Sequence, residues 1–335
     1  MPLWKEIGPD EDIVVSSRIR LARNLSGINF PGMMTDSDCE KVTSLICDSK
    51  PEGFGLVRMG QISDIARSAL VEEHIISPNL ATRSEAALLI NEDETLSVMI
   101  NEEDHLRIQC LLPGMQLDRA MDLANDLDDK LSEKLKYAYH AGLGYLTSCP
   151  TNVGTGLRAS LMLHLPALTM TGQMPAIIKG ISKTGMTVRG IYGEGSECAG
   201  AMYQISNQIT LGHSEKEIVM SISGTASRVM DKERKTRQLI LDNARIKLED
   251  KVFRSCGILK TARTLDSKEM TELVSNVKLG VAAGIVSGVS HSELHNLLME
   301  AQPAFIQQKS GRDMTEEERD IKRAEMVRSI MKDAE

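Results

Sequence analysis

The chain has 335 residues, 41% apolar and 26% charged, which is ordinary globular usage and enough for one large domain plus a smaller one. Its 39 Lys and Arg against 47 Asp and Glu leave a net charge of −8, which excludes a generic nucleic-acid binder with a basic surface. No run approaches the roughly 18 apolar residues of a membrane span, and the opening Met1-Pro-Leu-Trp-Lys-Glu lacks the apolar core of a signal peptide, so a soluble cytoplasmic protein is expected.

The first element is a strand, Ser16-Ser17-Arg18-Ile19-Arg20-Leu21-Ala22-Arg23, in which Arg18 and Arg20 share a face. Two adjacent guanidinium groups repel unless an anion lies between them, and a phosphate chain is an anion that Arg holds well. A solvated face with carboxylate partners is the alternative. Leu96, Val98 and Ile100, then Leu106, Ile108 and Cys110, alternate with polar neighbours as half-buried strands do. Between and overlapping them lies Asn101-Glu102-Glu103-Asp104-His105-Leu106-Arg107. Three consecutive carboxylates there bind a cation, act as a base, or form a solvated turn. Leu117 to Ala138 reads as a helix with an apolar stripe of Leu117, Met121, Ala124 and Leu131, interrupted by the polar Asp128.

Cys149-Pro150-Thr151-Asn152-Val153-Gly154-Thr155-Gly156-Leu157-Arg158 is a tight loop whose amides are available to a ligand. It lacks the Gly-Lys-Ser/Thr ending of a P-loop. Cys149 is the candidate reactive thiol, against the alternative of a buried Cys before a proline turn. Met186-Thr-Val-Arg-Gly and Glu217-Ile-Val-Met-Ser-Ile read as further strands, and Arg189-Gly190-Ile191-Tyr192-Gly193-Glu194-Gly195-Ser196 as a phosphate loop or a plain connector.

After Gly224 the helical period takes over. Leu241, Ala244, Leu248 and Val252 fall at steps of 3, 4 and 4, and Met270–Val274 and His291–Leu298 continue in that style. Thr315 followed by Glu318 marks the start of a last helix carrying Ile321, Ala324, Val327 and Met331 on one face. The expectation is an α+β domain over 1–235 followed by a helical domain over 236–335. The second carries 16 basic and 16 acidic residues, so the first carries 39 − 16 = 23 and 47 − 16 = 31 and holds the whole −8. The six cysteines are scattered with no C-x-x-C pair, which argues against a structural zinc site.

Arginines 18, 20, 107, 158 and 189 in Gly-rich or polar settings, with one carboxylate cluster, are what phosphoryl transfer without a P-loop requires. The segments Ser16–Arg20, Asn101–Arg107 and Cys149–Arg158, in that order and with Arg189-Gly190, resemble the signature segments of the phosphagen (ATP:guanido) kinases. Ser17–Asn24, Arg189–Gly195 and the extra helical C-terminus resemble the branch of that family that phosphorylates protein arginine side chains. The resemblance implies an antiparallel sheet flanked by helices, with ATP and Mg²⁺ as cofactors. It also implies Glu103 as the base that holds the substrate guanidinium, Glu102 and Arg107 assisting, and Cys149 beside the substrate nitrogen. The nucleotide would lie against Ser16, Ser17, Arg18, Ile19 and Arg20, His74, Arg107, then Arg158, Ala159, Ser160, Leu161 and Met162, and Arg189, Gly190, Ile191, Tyr192, Gly193 and Glu194. No protein metal ligands are implied.

The chain departs from the small-molecule members in three places. Their N-terminal helical domain has no room before Ser16, Met162 stands where they have a His, and Thr210 where they have an Arg. Arg319 and Arg323 share a helix face at i,i+4, where like charges cost about 0.2–0.5 kcal/mol unless an anion joins them. The run Arg319-Asp320-Ile-Lys-Arg323-Ala324 resembles that branch's phosphoarginine-binding motif, with Asp320 facing the guanidinium. The alternative is an exposed charged helix, solvated by six acidic neighbours from Asp313 to Glu325.

By the same resemblance, the expected partners are proteins with exposed arginines, a zinc-finger activator protein, a Clp-type ATPase that degrades the marked proteins, and a second copy in a homodimer. Nucleic acid and membrane are not expected. Two other functions stay open: a small-molecule guanidine kinase and a non-catalytic phosphoarginine-binding adaptor.

Overall fold

The computed structural model describes residues 6–190 and 199–335. In chain order its strands are β1 (Val14–Arg23), β2 (Phe54–Arg58), β3 (Ala87–Asn91), β4 (Leu96–Ile100), β5 (Leu106–Pro113), β6 (Tyr139–His140), β7 (Gly144–Tyr145), β8 (Leu157–His164), β9 (Met186–Gly190) and β10 (Met202–Asn207). The helices are α1 (Asp36–Ser49), α2 (Asp64–Glu72), α3 (Pro78–Ala81), α4 (Leu117–Ser132), α5 (Pro166–Met170), α6 (Met174–Ser182), α7 (Glu215–Thr261), α8 (Ser267–Ala282), α9 (His291–Glu300), α10 (Pro303–Ser310) and α11 (Glu316–Met331). Eight strands form one antiparallel sheet in the order β2-β3-β4-β5-β1-β8-β10-β9.

Strand alternation gives this sheet two unlike faces. Ile19 and Leu21 on β1, Ile108 and Cys110 on β5, Leu157 and Leu161 on β8 and Ile205 on β10 point to one side, each 0% exposed. They form one core with Ala120 and Ala124 of α4 and Ile222 of α7. Each such Leu or Ile contributes about 1.5–3 kcal/mol by leaving water. The opposite face is polar in its middle and apolar at both ends. At one end Leu88 and Met99 pack with Leu80 and Ile75 beneath α2 and α3. At the other, Val15, Met162 and Met202 meet Leu248, Val274, Leu294 and Val327 of the C-terminal helices. Those helices reach back across this face. The Glu72 carboxylate at the end of α2 accepts the Ala304 and Phe305 amides, both at 2.9 Å, and so caps α10.

The strands expected around residues 96–100, 106–110 and 186–190 form where alternation placed them. Glu217–Ile222 is not a strand but the first turns of α7. Ser214 and Glu217 make a capping box, and Ile218, Val219 and Ile222 are buried while Met220 is 61% exposed, a helical spacing. The helix begun at Leu117 stops at Ser132 instead of Ala138. The next residues turn back to bond the chain after β1, Ser26 N–H to Lys136 O at 2.8 Å and Ala138 N–H to Asn24 O at 2.7 Å. Ile321 is 40% exposed, whereas Arg323 is buried beside Ala324. The helix α7 breaks at Ala244, whose φ of −144° is non-helical. Among the described residues no helix is long and apolar enough to cross a membrane.

Candidate active site

Register alone gathers the arginines. Arg20 faces Arg158 across β1/β8 and Gln109 across β1/β5, Arg18 faces Ser160, and Gln204 faces both Met162 and Arg189. Paired residues share a face, as do residues two apart on a strand, so Arg18, Arg20, Arg107, Arg158 and Arg189 all lie on the polar middle of the sheet. Arg18 donates to Gln204 Oε1 at 3.1 Å and Ser160 Oγ at 3.4 Å. Arg158 donates to Asn152 Oδ1 at 3.0 Å, Asn207 O at 2.7 Å and Thr151 Oγ1 at 3.0 Å. These neutral partners aim the guanidinium groups without neutralising them.

Burial and the charge of Arg107 push Arg18 down to about 10. Burial, Arg18, Arg107 and Arg158 push Arg20 in the same direction against the pull of Glu102, and burial lowers Arg158 as well. Arg keeps its proton in practice, so the crowding of buried like charges makes this face favour an anion. Ser16, Arg18, His74, Ser160, Met162 and Gln204 line a depression beside them. Burial and Arg18 lower His74 to about 4, which leaves its ring neutral at pH 7.

The three consecutive carboxylates separate by environment. Asn101 turns the chain through a left-handed conformation, φ 60°, between β4 and β5. Glu102 is 2% exposed and accepts from Ser77 Oγ and Arg107 Nη1, while Arg83 donates to its backbone carbonyl. Burial raises its pKa, but Arg107 and the Ser77 bond outweigh that and hold it low. Asp104, also 2% exposed, accepts from Asn24 Nδ2 at 2.6 Å and from the Ser148 amide at 2.7 Å. It thereby pins the segment leading into Cys149. Glu103 alone is exposed. Loss of hydration and the Asp104 charge raise its pKa despite Arg107 and a hydrogen bond from Cys149.

The Cys149 loop is shaped by its glycines and by Thr210. A Cβ on Gly154 (φ 113°) would sit 2.5 Å from Thr210 O, and one on Gly156 (φ 67°) 2.6 Å from Ala22 O. Thr210 Oγ1 donates to Thr151 O at 3.0 Å and Val153 O at 2.6 Å, so the residue that departs from the small-molecule pattern is a strut of the loop.

The structure thus brings together Ser16, Arg18, Arg20, His74, Glu102, Glu103, Arg107, Cys149, Arg158, Ser160, Met162 and Arg189. It turns other expected nucleotide contacts away. Ser17 points to the opposite face, donating to Gly114 O at 2.7 Å and accepting the Gln116 amide at 2.8 Å. Ile19, Ala159 and Leu161 are 0% exposed in the apolar core. All four sit at the odd positions of strands whose even positions face the site. Gly190 ends β9 at the site's edge, and Ile191, Tyr192, Gly193 and Glu194 lie outside the described residues.

Sequence reasoning missed the supports: Asn24, Ser77, Arg83, Gln109 and Gln204. It also missed the Arg23–Asp128 pair, 2.7 Å and buried, with Arg23 stacked 3.5 Å over the Tyr145 ring. Asp128 had announced itself as a polar residue on the apolar stripe of α4.

In the C-terminal helix the outcome is different. Arg323 is 1% exposed and donates to Ala301 O at 2.8 Å, Leu265 O at 2.7 Å and Asp320. Arg319 donates to Met314 O at 2.8 Å and stays half-buried. The two guanidinium groups are therefore not a free side-by-side pair, and Ala324 is core.

Residues 38–236 match the family model of the ATP:guanido phosphotransferase C-terminal catalytic domain. Residues 245–335 match that of the protein-arginine kinase McsB C-terminal domain. The chain is 47% identical to a protein-arginine kinase of Halalkalibacterium halodurans, over 99% of this chain and 95% of that one. It is 48% identical to a protein-arginine kinase of Bacillus subtilis, over 97% and 91%. The fold is similar to that of lombricine kinase, with a TM-score of 0.59 at 24% identity over 69% of this chain and 70% of that one.

Proposed function

The chain belongs to the ATP:guanido phosphotransferases, on their protein-arginine kinase branch, and we propose that it transfers the γ-phosphate of ATP to arginine side chains of proteins. The observation that carries the reading is the convergence of five arginines on one sheet face beside a single exposed carboxylate, Glu103. A guanidinium is a poor nucleophile because it holds its proton beyond about pH 12. Glu103 grips it in a two-pronged bond, takes a proton as the P–N bond forms, and the bond from the γ-phosphorus to the ADP oxygen breaks. Arg18, Arg20, Arg107, Arg158 and Arg189 offset the phosphate charge, and Glu102 holds Arg107 at its station. Cys149 stands beside the nitrogen.

No group of three or more His, Cys, Asp or Glu capable of holding a metal converges among the described residues. Mg²⁺ keeps most of its waters and sits on substrate phosphates, so in this reading the nucleotide's phosphate oxygens would hold it, where it would neutralise charge. Residues 1–235 form the catalytic domain of this reading, and 236–335 the helical domain with the phosphoarginine subsite. There Arg319 meets the phosphate, Asp320 the guanidinium, and Arg323 fixes Asp320. Marking for a Clp-type ATPase and activation by a zinc-finger protein complete the proposal, by family likeness.

Incubation with ATP, Mg²⁺, an arginine-rich protein and free arginine, followed by mass spectrometry for acid-labile phosphate, tests it. Label on the protein is expected. Label confined to free arginine would make the chain a small-molecule kinase, and none at all would make it an adaptor.

A homodimer is supported by Ile246 and Phe253, exposed by 80% and 47% and seven residues apart on the part of α7 that follows the break at Ala244. Ile246→Glu should then convert dimer to monomer in analytical ultracentrifugation. An unchanged sedimentation coefficient, whether of monomer or dimer, would remove this face from the assembly.

A further inference from the structure

Lys278, on α8, is 1% exposed, yet it makes no hydrogen bond or ion pair with any described residue. A fully buried, unpaired lysine is rare because its ammonium loses hydration without return. It lines a pocket between the segment 6–15 and the start of α9, together with Glu11, His291, Ser292 and His295. Ser290 caps α9 through its bond from the Glu293 amide, and the first-turn amides at His291 and Ser292 have no acceptor within the helix. His291 Nδ1 is buried with no hydrogen bond.

The surroundings carry charge of both signs: Glu6 and Glu11 line the pocket, and Asp12 lies close by. Arg237, nearby, is already paired to Asp12 at 2.6 Å. His164 is held by Ser275 Oγ at 2.8 Å. Burial pushes Lys278 down to about 8, against the pull of Glu11 and Asp12. Burial and then Lys278 push His291 down to about 4 and move His164 the same way.

We propose that this pocket is a binding site for a protonated phosphate group, inorganic or on a phosphomonoester, gripped by Lys278 and the first turn of α9. The unpaired ammonium and the helix start supply donors for the oxygens. Glu11, on the same wall, selects among anions: it accepts a hydrogen bond from the O–H of hydrogen phosphate, whereas sulfate at neutral pH has no proton to give and meets only repulsion. Glu6, exposed at the mouth, adds to that selection. This site is separate from the arginine face and from Arg319.

The test is calorimetric titration of the full chain, with the arginine face saturated by a non-hydrolysable ATP analogue and Mg²⁺. Inorganic phosphate, glycerol phosphate and sulfate are added in turn. Phosphate should bind about tenfold or more tightly than sulfate, and Lys278→Met should weaken phosphate by about tenfold or more. Glycerol phosphate, which keeps its second proton only below about pH 6, binding there as well as phosphate assigns the site to phosphomonoesters, and phosphate alone to the free ion; either supports the site. No phosphate binding, or binding unchanged in Lys278→Met, overturns it. Should Lys278→Met fail to fold, Glu11→Gln decides: sulfate should then bind nearly as well as phosphate, and an unaltered preference overturns the proposal.

Discussion

Glu103→Gln should lower turnover on protein arginine by roughly 10³-fold or more while leaving ATP affinity within about twofold. The amide keeps the size and one acceptor of the carboxylate but cannot take the proton that must leave the guanidinium nitrogen. The substitution leaves all five arginines in place, so nucleotide binding measured by fluorescence or calorimetry is the internal control. Retained turnover would remove Glu103 from the chemistry. A parallel loss of ATP binding would mean that the substitution disturbs the arginine face instead.

The pH profile separates Glu103 from its neighbour Glu102. Loss of hydration and Asp104 raise the Glu103 pKa, so protonation sets in at higher pH than for a free glutamate. A base works only when ionised, so kcat/KM should fall as pH drops through that raised value, and Glu103→Gln should lack this acid limb. Glu102 is shifted the other way: burial opposes ionisation, but Arg107 and Ser77 more than offset it. A carboxylate whose folded pKa is depressed stabilises the fold above its unfolded value and loses that contribution as pH falls through the depressed one. Glu102 therefore reports in acid unfolding, at lower pH than the activity limb. An acid limb that persists in Glu103→Gln would contradict the assignment of the base.

Much of this site was legible in the sequence because strands place alternate residues on one face. Arg18 and Arg20, or Arg158 and Ser160, could be put together from spacing alone. The same rule should have excluded Ser17, Ile19, Ala159 and Leu161, which a contiguous motif sweeps in although their parity sends them to the core. What spacing cannot supply is partnership across the chain. That Asp104 reaches Asn24 and the Ser148 amide, or that Glu72 caps a helix more than two hundred residues later, is set by tertiary packing. The run Glu217–Ile222 misled for a related reason. Six residues of which four are apolar fit either period, and the decisive signal was the cap formed by Ser214 with Glu217 at their start.

Arg323→Ala should destabilise the protein by about 3–5 kcal/mol, whereas Arg319→Ala should cost about 1 kcal/mol or less. Both residues were expected to bind phosphoarginine as an exposed pair, and the structure gives them different tasks. Removing Arg323 leaves the Ala301 and Leu265 carbonyls without their donor and Asp320 without its counter-charge, in the middle of the C-terminal helices. Lysine in its place reaches fewer of the three acceptors, because a single ammonium lacks the guanidinium's fork. A double substitution of both arginines would therefore lose phosphoarginine through unfolding and prove nothing about recognition. The informative variant is Arg319→Ala, whose one bond goes to the Met314 carbonyl. If its thermal melt stays close to that of the unaltered protein and phosphoarginine binding falls by about tenfold or more, the subsite stands. If binding is unchanged, Arg319 is a helix-end strut and the helix α11 recognises no phosphate.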